Sequence, residues 1–382
     1  MLSRRQFLGW GAGAALEALL FPLEGEAQSR LVRQPYLQSP TVDGITIAWK
    51  TEGPERWAVR YGDLQGTINE VFEAQPTASH AVRLHGLKPS TPYSYQILSP
   101  HGLLAHPERF RTAKTLEESV TVCAWGDSGR GSEAQYQLAG HILSQRPDLC
   151  LHTGDLVYPK GAAQDFDAKF FTPYEEILKR AALFPSLGNH DYDTRSGQPY
   201  LDAFYLPTNN PEKTERYYSF DYGPAHCVAL DTIQVLLGEY GQMDWLDKDL
   251  QQTTQPWKIL FGHHPLYSTP VGQVHRAYER FVMRQAFEDL IIKHKVDVVL
   301  SGHDHYYQRM KMKYASRRHA GTLYVVTGGG GGGLRPVNPD KDTAAAGSLY
   351  HFITLQIHPR ALEFTALNRE GASFDSVRVE KR

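Results

Sequence analysis

The chain has 382 residues, enough for about two domains and a sizeable core, which excludes a small stapled fold. Apolar residues make up 41% and charged residues 21%, a globular balance that excludes wholesale disorder and a membrane bundle. With 40 Lys and Arg against 42 Asp and Glu the net charge is −2, so nucleic-acid binding driven by bulk charge is excluded, and with only three Cys beside 17 His a metal must be held mainly by nitrogen and oxygen donors.

At the N-terminus, Ser3-Arg4-Arg5-Gln6-Phe7-Leu8 precedes a small and apolar stretch from Gly9 to Leu23 and then Gly25-Glu26-Ala27, a small-x-small sequence suited to a signal peptidase. Residues 1–27 resemble a bacterial twin-arginine export signal. Read without that resemblance they are a disordered or anchoring terminus, because Glu17 interrupts an already short apolar stretch. The export reading predicts a periplasmic or secreted protein that meets the twin-arginine translocase and signal peptidase on its way out. No later run reaches the ~18 continuous apolar residues of a membrane span.

From Val32 to about Thr112 the apolar residues alternate: Ile45, Ile47 and Trp49, then Trp57, Val59 and Tyr61, then Val82 and Leu84, then Tyr93, Tyr95 and Ile97. Short strands of this period separated by Gly and Pro turns predict a β-sandwich over residues 30–113. Leu87-Lys88-Pro89-Ser90-Thr91-Pro92-Tyr93-Ser94-Tyr95 resembles the tyrosine-corner region of a fibronectin type III domain, in which a Tyr hydroxyl reaches back to the backbone and locks the turn. No acid, base or ligand cluster falls in this stretch, so a packing and spacer role is expected of it. Lys114 to Ser119 reads as the linker.

Beyond Ser119, buried strands alternate with helical stretches at Ser132 to Gln145, Phe166 to Arg180, Gln242 to Gln251 and Glu279 to His294. This pattern predicts a layered α/β unit with parallel strands over residues 118–382. Five of its apolar runs end alike. Val120 to Trp125 ends in Gly126-Asp127-Ser128-Gly129, Leu149 to Thr153 in Gly154-Asp155-Leu156-Val157-Tyr158, and Leu183 to Leu187 in Gly188-Asn189-His190-Asp191. Ile259 to Phe261 ends in Gly262-His263-His264-Pro265, and Val296 to Leu300 in Ser301-Gly302-His303-Asp304-His305. Ligands of open α/β sheets bind beyond the carboxyl ends of the strands, so the five corners are expected to converge. Each Gly suits a backbone that turns sharply off a strand and lets a metal or phosphate come close. Two Asp, one Asn, one Tyr and three His form an oxygen and nitrogen set without thiolate, which disfavours structural zinc and iron–sulfur clusters and suits two hydrolytic metals. Two such ions can bind both the attacking and the leaving oxygen of an in-line phosphoryl displacement.

The five motifs in this order resemble the purple acid phosphatase family within the calcineurin-like metallophosphoesterases, with Leu260 standing in the fourth where the family has Val. The resemblance covers nearly all of the chain after the leader and implies a fibronectin III-like β-sandwich followed by a four-layer α/β/β/α metallophosphoesterase domain. It implies that Asp127, Tyr158 and His305 bind Fe(III), that Asn189, His263 and His303 bind a divalent metal (Fe, Zn or Mn), and that Asp155 bridges them. It also implies that His190 contacts the substrate phosphate and protonates the leaving oxygen, and that a further His faces the substrate, for which His275 and His264 are the two candidates.

The function so implied is hydrolysis of small phosphate monoesters at acidic pH by a hydroxide that the metals generate. The alternatives are an exported phosphodiesterase or alkaline phosphatase using Mn or Zn with Tyr158 only packing, and a binding protein in which the sandwich acts and the metal site is a relic. Gly328 to Gly333 lacks the Lys-Ser/Thr of a nucleotide-binding loop and reads as a flexible strand exit. Asp231, which ends a strand outside the motifs, reads as structural.

Overall fold

The computed structural model describes residues 31–63, 65–100, 102–273, 276–314 and 319–381. The export-signal reading of residues 1–27 and the candidate His275 lie outside them. The first seven strands are β1 (Leu31–Thr41), β2 (Gly44–Glu55), β3 (Ala58–Asp63), β4 (Ile68–Phe72), β5 (Thr77–Leu84), β6 (Pro92–Ser99) and β7 (Gly102–Arg111). They form two antiparallel sheets ordered β1-β2-β5 and β4-β3-β6-β7, and the alternating residues Ile45, Ile47, Trp49, Trp57, Val59, Val82, Leu84, Tyr95 and Ile97 are buried. The Tyr93 hydroxyl accepts the Lys88 amide at 3.0 Å, the reach back over the turn that the sequence suggests. Strand β1 also ties this part to the rest of the chain. Its Tyr36 hydroxyl donates to the Ala203 carbonyl at 2.7 Å, Gln38 Nε2 to the Leu183 carbonyl at 3.3 Å, and Arg33 pairs with Asp167 at 2.6 Å.

The remaining strands are β8 (Val120–Trp125), β9 (Leu149–His152), β10 (Ala182–Pro185), β11 (Tyr218–Tyr222), β12 (Ala225–Ala229), β13 (Trp257–Gly262), β14 (Val298–Ser301), β15 (Tyr307–Met310), β16 (Leu323–Thr327), β17 (Thr343–Gly347), β18 (His351–Ile357), β19 (Ala361–Asn368) and β20 (Ser373–Glu380). They build a six-stranded sheet ordered β10-β9-β8-β18-β19-β20 and a seven-stranded sheet ordered β11-β12-β13-β14-β16-β15-β17. The inner strands β8 to β10 and β12, β13, β14 and β16 run parallel, and every other neighbouring pair in the two sheets is antiparallel.

The period of two sorts the second sheet into two faces. Ile259 and Phe261 of β13 join Cys227, Val298, Leu300 and Val325 in the core shared with the first sheet. Their neighbours Leu260, Val228, Val299 and Tyr324 instead meet helices α6 (Gly241–Gln252) and α7 (Arg276–His294) through Trp245, Leu250, Met283 and Phe287. Helices α1 (Glu133–Ser144) and α2 (Thr172–Leu178) pack against the first sheet, so the layers run helix, sheet, sheet, helix. Ser132 starts α1 by accepting the Gln135 amide at 3.3 Å, as an N-cap hydroxyl does. The short helices α3 (Asn189–Tyr192), α4 (Gln198–Leu201) and α5 (Thr232–Leu236) occupy loops. No helix among the described residues is long and apolar enough to cross a membrane.

Asp231 caps α5 through the Ile233 and Gln234 amides, the structural role expected of it. The glycine run departs from expectation. Gly328 to Gly332 are buried, Gly330 donates to the Gly126 carbonyl at 2.9 Å and Gly332 to the Asp127 carbonyl at 2.6 Å. A Cβ on Gly330 would lie 2.3 Å from the Gly126 oxygen. The run is therefore a tightly packed support for the Asp127 turn, glycine being required for contact and not for flexibility.

Candidate metal centre

The turns that follow β8, β9, β10, β13 and β14 meet at one end of the two sheets. The strands deliver their residues in strained backbone: Asp127, Asp155 and His303 have φ of 57°, 55° and 68°, a left-handed conformation that few non-glycine residues adopt and that clusters where function demands it. Gly154, at φ 92°, precedes Asp155 so closely packed that an added Cβ would lie 2.7 Å from His263 Nδ1 and 2.9 Å from the Gly188 backbone.

Seven side chains converge in two sets. In the first, the Tyr158 hydroxyl lies 3.0 Å from Asp155 Oδ2, 3.3 Å from Asp127 Oδ1 and 3.0 Å from His305 Nε2. In the second, Asn189 Oδ1 lies 3.0 Å from both His263 Nε2 and His303 Nδ1, those two nitrogens are 3.2 Å apart, and Asp155 Oδ1 is 3.5 Å from His263 Nε2. Asp155 thus turns one carboxylate oxygen to each set. Apart from Asn189 these side chains belong to residues no more than 8% exposed.

The second nitrogen of each imidazole fixes which atoms face inward. His263 Nδ1 is 2.9 Å from the Thr153 carbonyl, His305 Nδ1 is 2.7 Å from the Gly333 carbonyl, and His303 Nε2 is 3.0 Å from the Glu279 carboxylate. These oxygens only accept, so in the neutral rings His263 Nε2, His305 Nε2 and His303 Nδ1 are bare lone pairs. Bare nitrogens, carboxylate oxygens and an amide oxygen meeting with no proton between most of them fit cations, and outer hydrogen bonds of this kind orient imidazole ligands. The donor set therefore fits two oxygen- and nitrogen-liganded metals that share a carboxylate.

The electrostatics agree with that fit at Asp127 and His303, while His305 leans toward its protonated form. Burial alone would raise the Asp127 carboxyl, but His305 and the other neighbouring imidazoles hold it below its ordinary value. Burial would lower His305, and its bond to Asp127 outweighs this and raises it. Burial, then His264, His263 and Arg276, push His303 well below the ordinary range, which keeps it neutral as a ligand must be. Burial, then the Asp155 and Asp127 carboxylates, push the Tyr158 phenol well above its ordinary value, so only a strong Lewis acid at its oxygen would ionise it.

His190 stands at the rim. Its backbone amide donates to Asp155 Oδ1 at 2.9 Å, and its Nδ1 is 2.6 Å from the Pro159 carbonyl, which leaves Nε2, 4.0 Å from Asp155 Oδ2, as the exchanging nitrogen. His264 stands elsewhere. It is 3% exposed, its Nδ1 is 2.9 Å from the Thr232 hydroxyl, and its ring packs 4.2 Å from that of His303. The structure thus places it in the packing around His303.

Three residues support the site, of which Asp191 closes the Gly188-Asn189-His190-Asp191 corner while Arg276 and Glu279 have no signal in the sequence. Asp191 is buried and accepts the Leu156, Val157 and Gly188 amides, bracing the Asp155 turn, and burial with the nearby Asp155 raises its carboxyl to about 7. Glu279 and Arg276, both on the first turn of α7, hold His303 by its Nε2 and its backbone carbonyl respectively, and Arg276 also pairs with the buried Asp304.

Residues 120–307 match the calcineurin-like phosphoesterase family. The chain is 28% identical over 287 residues to purple acid phosphatase 15 of Arabidopsis thaliana, which covers 66% of this chain and 53% of that protein. It is 27% identical over 354 residues to acid phosphatase type 7 of Homo sapiens, covering 80% of this chain and 79% of that one. The chain thus spans about half the length of the plant relative. Its fold is similar to that of the purple acid phosphatase PPD1 from yellow lupin seeds, with a TM-score of 0.77 at 21% identity over 91% of this chain and 74% of the lupin chain.

Proposed function

We propose that the protein is a metal-dependent phosphoric monoester hydrolase, an acid phosphatase with a binuclear centre. The observation that carries this reading is the meeting of two lone-pair sets at the two oxygens of one carboxylate, Asp155. Asp127, Tyr158 and His305 would hold Fe(III), Asn189, His263 and His303 a divalent ion (Fe, Zn or Mn), and Asp155 both. Such ions supply Lewis acidity toward phosphoryl oxygens and a nucleophile drawn from water at acidic pH.

The protein's own groups do the rest. The carbonyls of Thr153 and Gly333 and the Glu279 carboxylate keep the imidazoles in the tautomers that present lone pairs. His190, its Nδ1–H held by Pro159, carries at Nε2 the proton that the leaving oxygen takes. The division into a leader at 1–27, a fibronectin III-like spacer at 30–113 and a catalytic unit at 118–382, with twin-arginine export to the periplasm or beyond, belongs to the same reading and is supported by the Arg4-Arg5 motif and by the paired N-terminal sheets.

The test is a visible absorption spectrum of the purified protein with elemental analysis of the same sample and turnover of 4-nitrophenyl phosphate across pH. A purple or pink band lost in Tyr158→Phe, about two metals per chain including iron, and an acidic optimum abolished by Asp155→Ala are expected. A colourless Mn or Zn protein with an alkaline optimum overturns the Tyr158–iron assignment, and an inactive metal-loaded protein overturns the hydrolase.

A further inference from the structure

The rim of the centre carries cations that the reading above does not use. Arg130 follows the Asp127 turn, Lys160 follows Tyr158-Pro159, and Arg335 follows the glycine run, and all three are exposed. Their backbones are pinned to the site. The Arg130 amide donates to the Ser128 carbonyl at 2.8 Å, the Arg335 amide to the His305 carbonyl at 2.9 Å, and the Lys160 carbonyl accepts the Thr194 hydroxyl at 2.5 Å. Among the described residues no carboxylate pairs with any of the three, in a chain whose overall charge is close to neutral.

Arg130 is the best placed. Its guanidinium lies over the Tyr158 ring, 4.5 Å from the centroid, and the hydroxyl of that ring is 3.0 Å from both Asp155 Oδ2 and His305 Nε2. A guanidinium held over an aromatic ring keeps N–H groups at its edge for a two-oxygen acceptor such as a phosphate. The contact also limits its rotamers, which lowers the cost of ordering it on a ligand.

We propose that Arg130 binds non-bridging oxygens of the substrate phosphate and favours monoesters over diesters, most strongly where the monoester is a dianion. The chemical reason is twofold. A fixed cation attracts a dianion about twice as strongly as a monoanion at the same distance, and a diester keeps only two non-bridging oxygens where a monoester has three, one fewer to share between the centre and the guanidinium fork. The proposal rests on the hydrolase reading and names the residue that gives it monoester preference.

The experiment compares the metal-loaded parent with Arg130→Gln and Arg130→Lys at pH 7, above the second ionisation of a phosphate monoester at ~6. It measures kcat/KM for 4-nitrophenyl phosphate and bis(4-nitrophenyl) phosphate, and the affinity for inorganic phosphate by calorimetry. Arg130→Gln is expected to lower monoester kcat/KM and phosphate affinity by about tenfold each, a typical loss for an exposed charge-assisted contact, while diester turnover changes by less than about threefold. Arg130→Lys is expected to recover part of the monoester loss. Equal losses on the two esters, or an unchanged ratio between them, overturn the proposal whatever the phosphate affinity. If the parent turns over neither ester the hydrolase reading fails instead, and unchanged phosphate affinity in Arg130→Gln then overturns the role of Arg130 separately.

Discussion

Glu279 offers the sharpest test of the division into two metal sets. Its carboxylate, on the first turn of α7, accepts from His303 Nε2 at 3.0 Å and fixes the tautomer whose Nδ1 lone pair faces Asn189 and His263. Glu279→Ala removes that acceptor while Arg276, bonded to the His303 carbonyl at 2.7 Å, keeps the loop in place. The ring then loses one hydrogen bond to a charged group, worth about 1.5–3 kcal/mol, and the ion held by Asn189, His263 and His303 should bind about 10–100-fold more weakly. Asp127, Tyr158 and His305 are held by one another, by Asp155 and by the Gly333 carbonyl, so their ion and its colour should stay. The assay is titration of the metal-loaded protein with a competing chelator, following both metals by elemental analysis and the first set by its visible band. Glu279→Gln, which keeps an acceptor oxygen without the charge, should fall between parent and Ala. Parallel loss of both ions, or loss of neither, would refute the argument that Glu279 acts through His303 alone.

Two further outcomes follow from His226 and Gly154. Burial disfavours charge on His226, but its hydrogen bonds to Asp221 and Asp249, each 2.7 Å long, outweigh this and raise it to about 9. A folded pKa above the unfolded ~6.5 means stability that is complete below about pH 6.5 and is lost as pH rises through 9, by about 3 kcal/mol in all. Denaturant midpoints measured from pH 6 to 10 should fall accordingly, and His226→Gln should flatten that slope. Gly154→Ala adds a Cβ in left-handed backbone against His263 and Gly188, so a stability loss of at least about 1–3 kcal/mol is expected. Because the displaced groups are His263 and the Gly188 backbone that leads into Asn189, metal content should fall with it, and a variant that binds both metals normally would show that this turn is not under the stated constraint.

The convergence of the site was legible in the sequence because its information is local. Each of the five corners couples a glycine to a candidate ligand within one turn of a strand end, and the strands themselves announce their burial by runs such as Val120 to Trp125. What lay beyond local information was everything set by packing across the fold. Glu279 sits in a helix between Tyr278 and Arg280 with no motif around it, and only the approach of α7 to the turn after β14 brings it to His303. Arg130 is one of many charged residues until its place over the Tyr158 ring is seen. The glycine run was misread for a related reason: composition speaks of backbone freedom, while the contacts of Gly330 with the Gly126 turn remove it. His264 follows a proposed ligand directly in sequence, yet its pairing with Thr232 sets it in the packing around His303.

The left-handed residues connect these observations. Asp127, Asp155 and His303 each hold a backbone conformation that costs of order 1–3 kcal/mol and persists only where surrounding structure over-determines it. That structure is visible around each of them. The Asp127 amide donates to the Gly154 carbonyl and its own carbonyl accepts from Gly332, Asp155 is followed by two amides bound to Asp191, and His303 is held by Arg276 and by its amide on the Asp127 carboxylate. The bonds of Asp127 to Gly154, of Asp191 to the Asp155 turn and of His303 to Asp127 each join two of the converging turns, while Gly332 and Arg276 brace them from the glycine run and from α7. The backbones that carry the donors are therefore fixed by the meeting of the two sheets and their loops. A site prepared in this way spends little of a metal's binding energy on ordering its ligands, which leaves that energy for affinity and lets the outer hydrogen bonds, of which Glu279 is the clearest, decide how tightly each ion is held.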